Sequence, residues 1–133
     1  AACFGVPKNS SSEVNLLISD KKNPKKKLET ITRYKIDNKN NKLSNIIFSP
    51  QTGKTHQLRI VAKHLGCPIV GDTKYNNQNK YNYEYLKLNA HLLKFTLYEN
   101  NYEFISEIPK NFLDFFKKNN LKNFNMKNIR EFL

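Results

Sequence analysis

The sequence of 133 residues has no tryptophan, one methionine, four glycines and two cysteines. Two cysteines, Cys3 and Cys67, do not make a disulfide framework, and they lack the C-x-x-C spacing of a metal site. A reduced, cytosolic setting is expected, with an organelle as the alternative. No apolar run approaches the ~20 residues that span a bilayer, so no membrane partner is expected. No signal peptide is visible, and the chain opens without Met on Ala1-Ala2-Cys3-Phe4, as if cut out of a strand. Acidic residues are few, 11 against 23 basic ones, for a net charge of +12. That balance favours polyanions, with nucleic acid first. Arginine is scarce as well. Nearly all the basic residues are Lys, and Asn is just as frequent, so compositional drift is a competing source of the charge. Arg59 therefore weighs more than any single Lys, because a guanidinium forks onto two acceptors at once.

What is present is aromatic. The hydrophobic fraction is only 38%, but 7 Tyr and 9 Phe supply rings that each bury a large area. Ala1 to Phe4 reads as a strand end and Gly5-Val6-Pro7 as a turn, followed by a polar loop from Asn9 to Ser12. Val14 to Ile18 reads as a short strand, and Asp20 to Lys27 as an exposed, lysine-rich excursion. Glu29 to Ile36 alternates in the strand manner, with Thr30, Thr32 and Tyr34 on one side. After an Asn- and Lys-rich turn, Leu43 to Phe48 forms its hairpin partner. The best helix is Thr55 to Leu65, with Thr55 as N-cap and Gly66 as the residue past its end. Leu58, Val61, Ala62 and Leu65 fall on one face, and His56, Arg59 and Lys63 on another. Asn76 to Asn82 is a polar loop. Leu88 to Tyr98 and Tyr102 to Ile108 make a second hairpin, joined by Glu99-Asn100-Asn101. Pro109 opens an amphipathic helix with Phe112, Leu113, Phe115 and Phe116 on its apolar side. The fold class is α+β, a mixed, largely antiparallel sheet with a few flanking helices.

Several familiar chemistries fail on spacing. Gly53-Lys54-Thr55 before a helix invites a phosphate-loop reading, but Phe48 stands where the first glycine of that loop must be. His56 and His64 lie two helical turns apart, too far to share a metal. No serine sits in the turn of a nucleophile elbow.

A stronger pattern remains. Thr52-Gly53-Lys54-Thr55-His56-Gln57-Leu58-Arg59 resembles the T-G-R-T-H-Q-[LI]-R segment of RluA-type RNA pseudouridine synthases. Leu65 to Asp72 is similar to their I-G-H-P-[IL]-x-G-D, and Asp72 to Tyr75 with Asn76 to the D-x-x-Y-G that follows. Leu88-Asn89-Ala90 with Phe95 resembles their L-H-A strand, and Gly5-Val6-Pro7 their G-x-P turn. The likeness runs to about Phe116. Lys54 departs from the usual Arg, Cys67 and Asn89 from His, and Asn76 from Gly. The family's H-R-L-D segment, with its catalytic aspartate, and the Tyr of Y-x-A are not in this sequence.

The resemblance implies an enzyme that breaks the C1′–N1 bond of a uridine in ribosomal or transfer RNA, turns the base, and joins C1′ to C5. It implies no cofactor and no metal. It assigns Arg59 as partner of the nucleophilic aspartate, which needs a countercharge to stay anionic in a closed pocket, with a salt bridge in the sheet–helix junction as the competing reading. Lys54, His56, Gln57, Lys63, Lys74 and Tyr75 are the candidate RNA contacts. For His56 and Gln57 a role in fixing the loop is the competing reading, and for Tyr75 a place in the core. Residues 1–118 are expected to form the C-terminal part of the catalytic domain and 119–133 a Lys- and Asn-rich, helix-prone tail. Alone, the chain is expected to be inactive, with a separate N-terminal half as a candidate partner. An inactive RNA-binding or assembly module is the alternative, and a non-functional remnant a third.

Overall fold

The computed structural model describes residues 1–76 and 84–133. Six strands and three helices run in the order β1 (Ala2–Phe4), β2 (Ser11–Ser19), β3 (Lys27–Lys39), β4 (Leu43–Pro50), α1 (Gln57–His64), β5 (Leu92–Leu97), β6 (Asn100–Ile105), α2 (Lys110–Lys118), α3 (Met126–Phe132). The fold is α+β. Strands β1 to β4 form one sheet in the order β1-β4-β3-β2, strands β5 and β6 a separate hairpin, and every strand pairing is antiparallel. No described helix is long and apolar enough to cross a membrane.

Alternation dictates the sheet. In β3, Thr30, Thr32 and Tyr34 turn inward while Ile31 and Arg33 face out. The buried threonines find partners: the Thr30 hydroxyl donates to the Leu16 carbonyl at 2.9 Å. The pleat also splits the core in two. Ala2 packs with Leu43, Val70, Phe112, Phe115, Phe116 and Leu121. Its neighbour Cys3 packs with Tyr34, Ile46, Ala62, Cys67 and Ile69. Helix α1 thus covers one face of the sheet and α2 the other. On its far edge β1 is closed by a ring of backbone bonds. Ala2 donates to Lys87, Lys87 to Val70 and Val70 to Ala2, at 3.0, 2.8 and 2.9 Å.

Five local expectations change, the first being that the strand expected from Leu88 starts only at Leu92. The polar loop assigned to Asn9 to Ser12 is shorter, because Ser11 and Ser12 pair with Lys35 and Tyr34 in the sheet. Helix α1 begins two residues late and Thr55 is not its cap. His56 holds that position with φ of 57°, because the chain turns tightly from Lys54 to Gln57, closed by a 3.0 Å bond between their backbones. The second hairpin turns one residue early. Leu97 pairs with Asn100, so Tyr98 and Glu99 form the loop, both at positive φ. On α2, Pro109 is the cap residue, and Leu113 is 40% exposed, off the stripe made by Phe112, Phe115 and Phe116. The C-terminus of α1 is as expected. Gly66, at φ of 73°, donates to Lys63 and Cys67 donates to Ala62, the paired bonds of a Schellman ending. Of the loop expected from Asn76 to Asn82, all but Asn76 lies outside the described residues.

Residues 119–133 pack onto the sheet. Leu121 and Ile129 are buried. Asn38 and Asn45 both donate to the Lys122 carbonyl, at 3.0 and 2.7 Å. Asp37 accepts from the Asn125 backbone and the Asn128 amide.

Candidate active-site face

The segment between β4 and α1 is tied to β3 by Gln51 and Thr52, which bond the Ile31 backbone, and by Gln57. Gln57 is 3% exposed. Its amide nitrogen donates to the Thr32 hydroxyl at 2.9 Å and the Ile31 carbonyl at 3.2 Å. Its amide oxygen accepts from the Thr52 hydroxyl at 2.9 Å and the Lys54 backbone at 3.0 Å. Both amide hydrogens and both lone pairs are spent inside the protein. Of the two readings open for Gln57, this geometry is that of loop fixing. It staples the start of α1 to β3 and sets where the next turn of the helix points.

That turn presents Arg59. Its Nε donates to Asp72 Oδ2 and its Nη2 to Asp72 Oδ1, both at 2.8 Å. The Asp72 side chain is fully buried and that of Arg59 18% exposed. Asp72 Oδ1 also accepts from the Lys74 and Tyr75 backbones at 3.0 Å each. The sequence reads Gly71-Asp72 as a turn and places the carboxylate for Arg59 outside the chain. In the structure that turn itself supplies Arg59 with a carboxylate, so a salt bridge at the junction of sheet and helix is formed within the chain. The turn is possible only with glycine. Gly71 lies at φ of 82°, and a Cβ there would come within 2.4 Å of the Tyr85 carbonyl oxygen.

Burial alone would push Asp72 up, but the hydrogen bond from Arg59 and those from the Tyr75 and Lys74 backbones outweigh it and hold the carboxyl below its ordinary value. The same hydrogen bond raises Arg59. Four donors thus sit on the two oxygens of Asp72 and favour its anion.

Tyr75 joins the cluster to its rim. Its hydroxyl lies 3.1 Å from His56 Nδ1, and the two rings meet edge to face. The Arg59 guanidinium lies 5.1 Å from the Tyr75 ring centre and the Lys74 ammonium 5.4 Å. Desolvation, then the charges of Arg59, Lys74 and Lys21, lower His56 below its ordinary value, against a smaller opposing pull from Asp72. His56, Arg59, Lys74 and Tyr75 therefore converge, and Lys54, two residues before His56, is exposed. Lys63, one turn beyond Arg59 on the same helix, is exposed.

One charged residue escaped the sequence altogether. Lys87 is fully buried, with Nζ donating to Glu84 and to the Tyr85 carbonyl at 2.9 Å each. A lone Lys in an apolar stretch gives no sign of burial. Among the described residues no group of three His, Cys, Asp or Glu could hold a metal. Both cysteines are buried, and burial pushes Cys3 up to about 12 and Cys67 up to about 11, so neither offers a thiolate.

Comparison with known proteins places this face in context. No family model matches the chain. The chain is 40% identical over 101 residues to ribosomal large subunit pseudouridine synthase C of Rickettsia felis, covering 68% of this chain and 33% of that protein. It is 39% identical over 83 residues to the dual-specificity RNA pseudouridine synthase RluA of Vibrio cholerae, covering 56% of this chain and 34% of that protein. Its fold resembles that of human RNA pseudouridylate synthase domain containing 4, with a TM-score of 0.84 and 22% identity, over 94% of this chain and 62% of that one. The chain spans about a third of the length of these curated relatives.

Proposed function

Given that this chain is a member of the RluA-type pseudouridine synthase family, we propose that it forms the RNA-facing, arginine-bearing side of an enzyme that isomerises uridine to pseudouridine in ribosomal or transfer RNA. The nucleophilic aspartate and catalytic tyrosine come from polypeptide outside this sequence, either ahead of it or as a separate N-terminal half. Residues 1–118 are the C-terminal part of the catalytic domain and 119–133 an appended tail. The reaction takes place in the cytoplasm or an organelle.

One observation carries this reading: a half-buried guanidinium, aimed by a buried carboxylate, beside an exposed basic rim. The bond to Asp72 uses two of the five N–H groups of Arg59. Three remain for a second anion, and a nucleophilic carboxylate placed there would keep its charge without water. Asp72 is no substitute for that nucleophile, since it is buried and four donors already occupy it. Lys54, Lys63 and Lys74 supply phosphate contacts, and Tyr75 the wall against which the target nucleotide rests.

A second reading has its own support. Because Asp72 already satisfies Arg59, this face is stable without a nucleophile, as suits an RNA-binding or assembly module with no turnover.

The test combines binding and turnover. Wild type should bind RNA with a steep salt slope, and Lys54→Ala or Lys74→Ala should each reduce that slope by about one. Tritium release from uridine-labelled RNA should be nil with the chain alone and appear when the missing polypeptide is added. Turnover by the isolated chain overturns the division of the active site. Binding without turnover in the reconstituted mixture selects the second reading, and slopes unmoved by both substitutions remove the RNA face.

A further inference from the structure

Lys87 is the fully buried cation of this chain's core. Its ammonium lies 5.5 Å from the Phe115 ring centre and 5.9 Å from that of Phe112. An apolar side chain of similar length would pack against those rings without the cost of taking a charge out of water. What it could not supply is the pair of 2.9 Å bonds that Nζ donates to Glu84 Oε2 and to the Tyr85 carbonyl.

Those bonds lead to the Gly71-Asp72 turn. The carbonyl oxygens of Tyr85 and Glu84 lie where a Cβ of residue 71 would sit, so they rest against the bare face of Gly71. The backbone of Lys87 holds the residue before it, donating to the Val70 carbonyl at 2.8 Å. The turn itself closes with a 3.1 Å bond from the Asp72 backbone to the Ile69 carbonyl. Lys87 therefore grips this turn twice. Its main chain takes residue 70, and its ammonium, through the Tyr85 carbonyl, takes residue 71. Asp72 comes next, and its carboxylate holds Arg59 through two bonds of 2.8 Å. A two-bond pair of this kind tolerates little rotation of either partner, so the turn sets the direction of the guanidinium.

We propose that Lys87 is a positioning residue for Arg59, acting through the Tyr85 carbonyl and the Gly71-Asp72 turn. Being buried, its ammonium contacts no RNA, and it bears on the target uridine only through the aim of Arg59. This rests on the reading of Arg59 as the guanidinium of a synthase active site, and adds the residue that aims it. Glu84 has the lesser part, balancing the charge while the Tyr85 carbonyl carries the position.

The experiment reads Arg59 directly in the full chain. The chain has three arginines, so the side-chain Nε–H region of its nitrogen-15 spectrum holds three signals. Arg33 lies over the Phe132 ring, 5.0 Å from its centre, and Arg130 pairs with Glu103 of β6 at 3.2 Å. These two are internal references, and Arg59 is the signal lost in Arg59→Lys. Lys87→Met should speed exchange of the Arg59 Nε–H with water about tenfold or more, because that hydrogen sits in the bond to Asp72. The reference signals and the circular dichroism should stay as in wild type. Phe115→Leu loosens the same core but removes neither Nζ bond, and should leave Arg59 exchange within about twofold. Unchanged Arg59 exchange in Lys87→Met overturns the proposal. So does an equal acceleration in Phe115→Leu, which would make Lys87 one more piece of core. Should Lys87→Met not fold, Lys87→Gln, neutral and shorter, decides by the same readout: faster Arg59 exchange supports the proposal and wild-type exchange overturns it. The signals need no turnover. If they move as expected while the reconstituted mixture isomerises no uridine, the synthase reading falls and the hold of Lys87 on Arg59 stands. If turnover appears and the Arg59 signal ignores Lys87, the synthase reading stands and this proposal falls.

Discussion

Arg59 and Asp72 lie thirteen positions apart and meet through two parallel bonds of 2.8 Å. The resemblance of Thr52 to Arg59 to the synthase motif implies that Arg59 partners a carboxylate, and a guanidinium's fork suits that task. It does not reveal which carboxylate, since the contact depends on how the Schellman turn at Gly66 swings the chain back. Gln57 shows the same limit: its position in the motif is legible, but its four bonds come from β3 and the preceding loop, and only folding assembles them. Replacing Asp72 with Asn leaves Arg59 with its charge uncompensated and should cost about 3 kcal/mol. The depressed Asp72 contributes stability that is present above its unfolded value near 4 and lost as pH falls through the folded one. Urea unfolding should therefore show the full gap between wild type and Asp72→Asn at pH 7 and a shrinking one below about pH 4. A gap that persists undiminished at pH 3 would count against the ion pair as its source.

Strands were more legible than their turns. Thr30, Thr32 and Tyr34 alternate with Ile31 and Arg33 strictly enough to fix both the strand and its face. The Tyr98-Glu99 loop was misplaced by one because it lacks the usual marker. Two-residue hairpin loops with both φ positive favour Asn-Gly, and here φ is 46° at Tyr98 and 65° at Glu99. Nothing in a tyrosine or glutamate advertises that conformation, and each is strained by it. Tyr98→Asn combined with Glu99→Gly should stabilise the chain by about 1 to 2 kcal/mol in thermal unfolding, and a loss of stability would show that this loop is not the one described. Leu113 was misassigned for a related reason: neighbouring apolar residues on a helix cannot all face one way, and Phe112, Phe115 and Phe116 claim the core.

Taken whole, the molecule is a strongly positive body with one acidic, apolar hairpin. Its positive charge was visible in the composition, but the uneven placement was not, because a sum over residues carries no map. A net charge of +12 in a compact fold repels itself. The melting temperature should rise between ~20 mM and ~200 mM salt, as the screening length falls to under 10 Å. A fall would mean that attractive pairs, such as those at Glu103, outweigh the repulsion.

The backbone ring at the edge of β1 has a kinetic meaning. Residues 2, 70 and 87 each give one bond and take one, so none of the three segments is satisfied until the other two arrive. Any two of them make only one of the three bonds, and full closure must wait for both intervening stretches of chain to return. The slowest act of folding should thus be the meeting of these three segments, with both cores locking as the ring shuts.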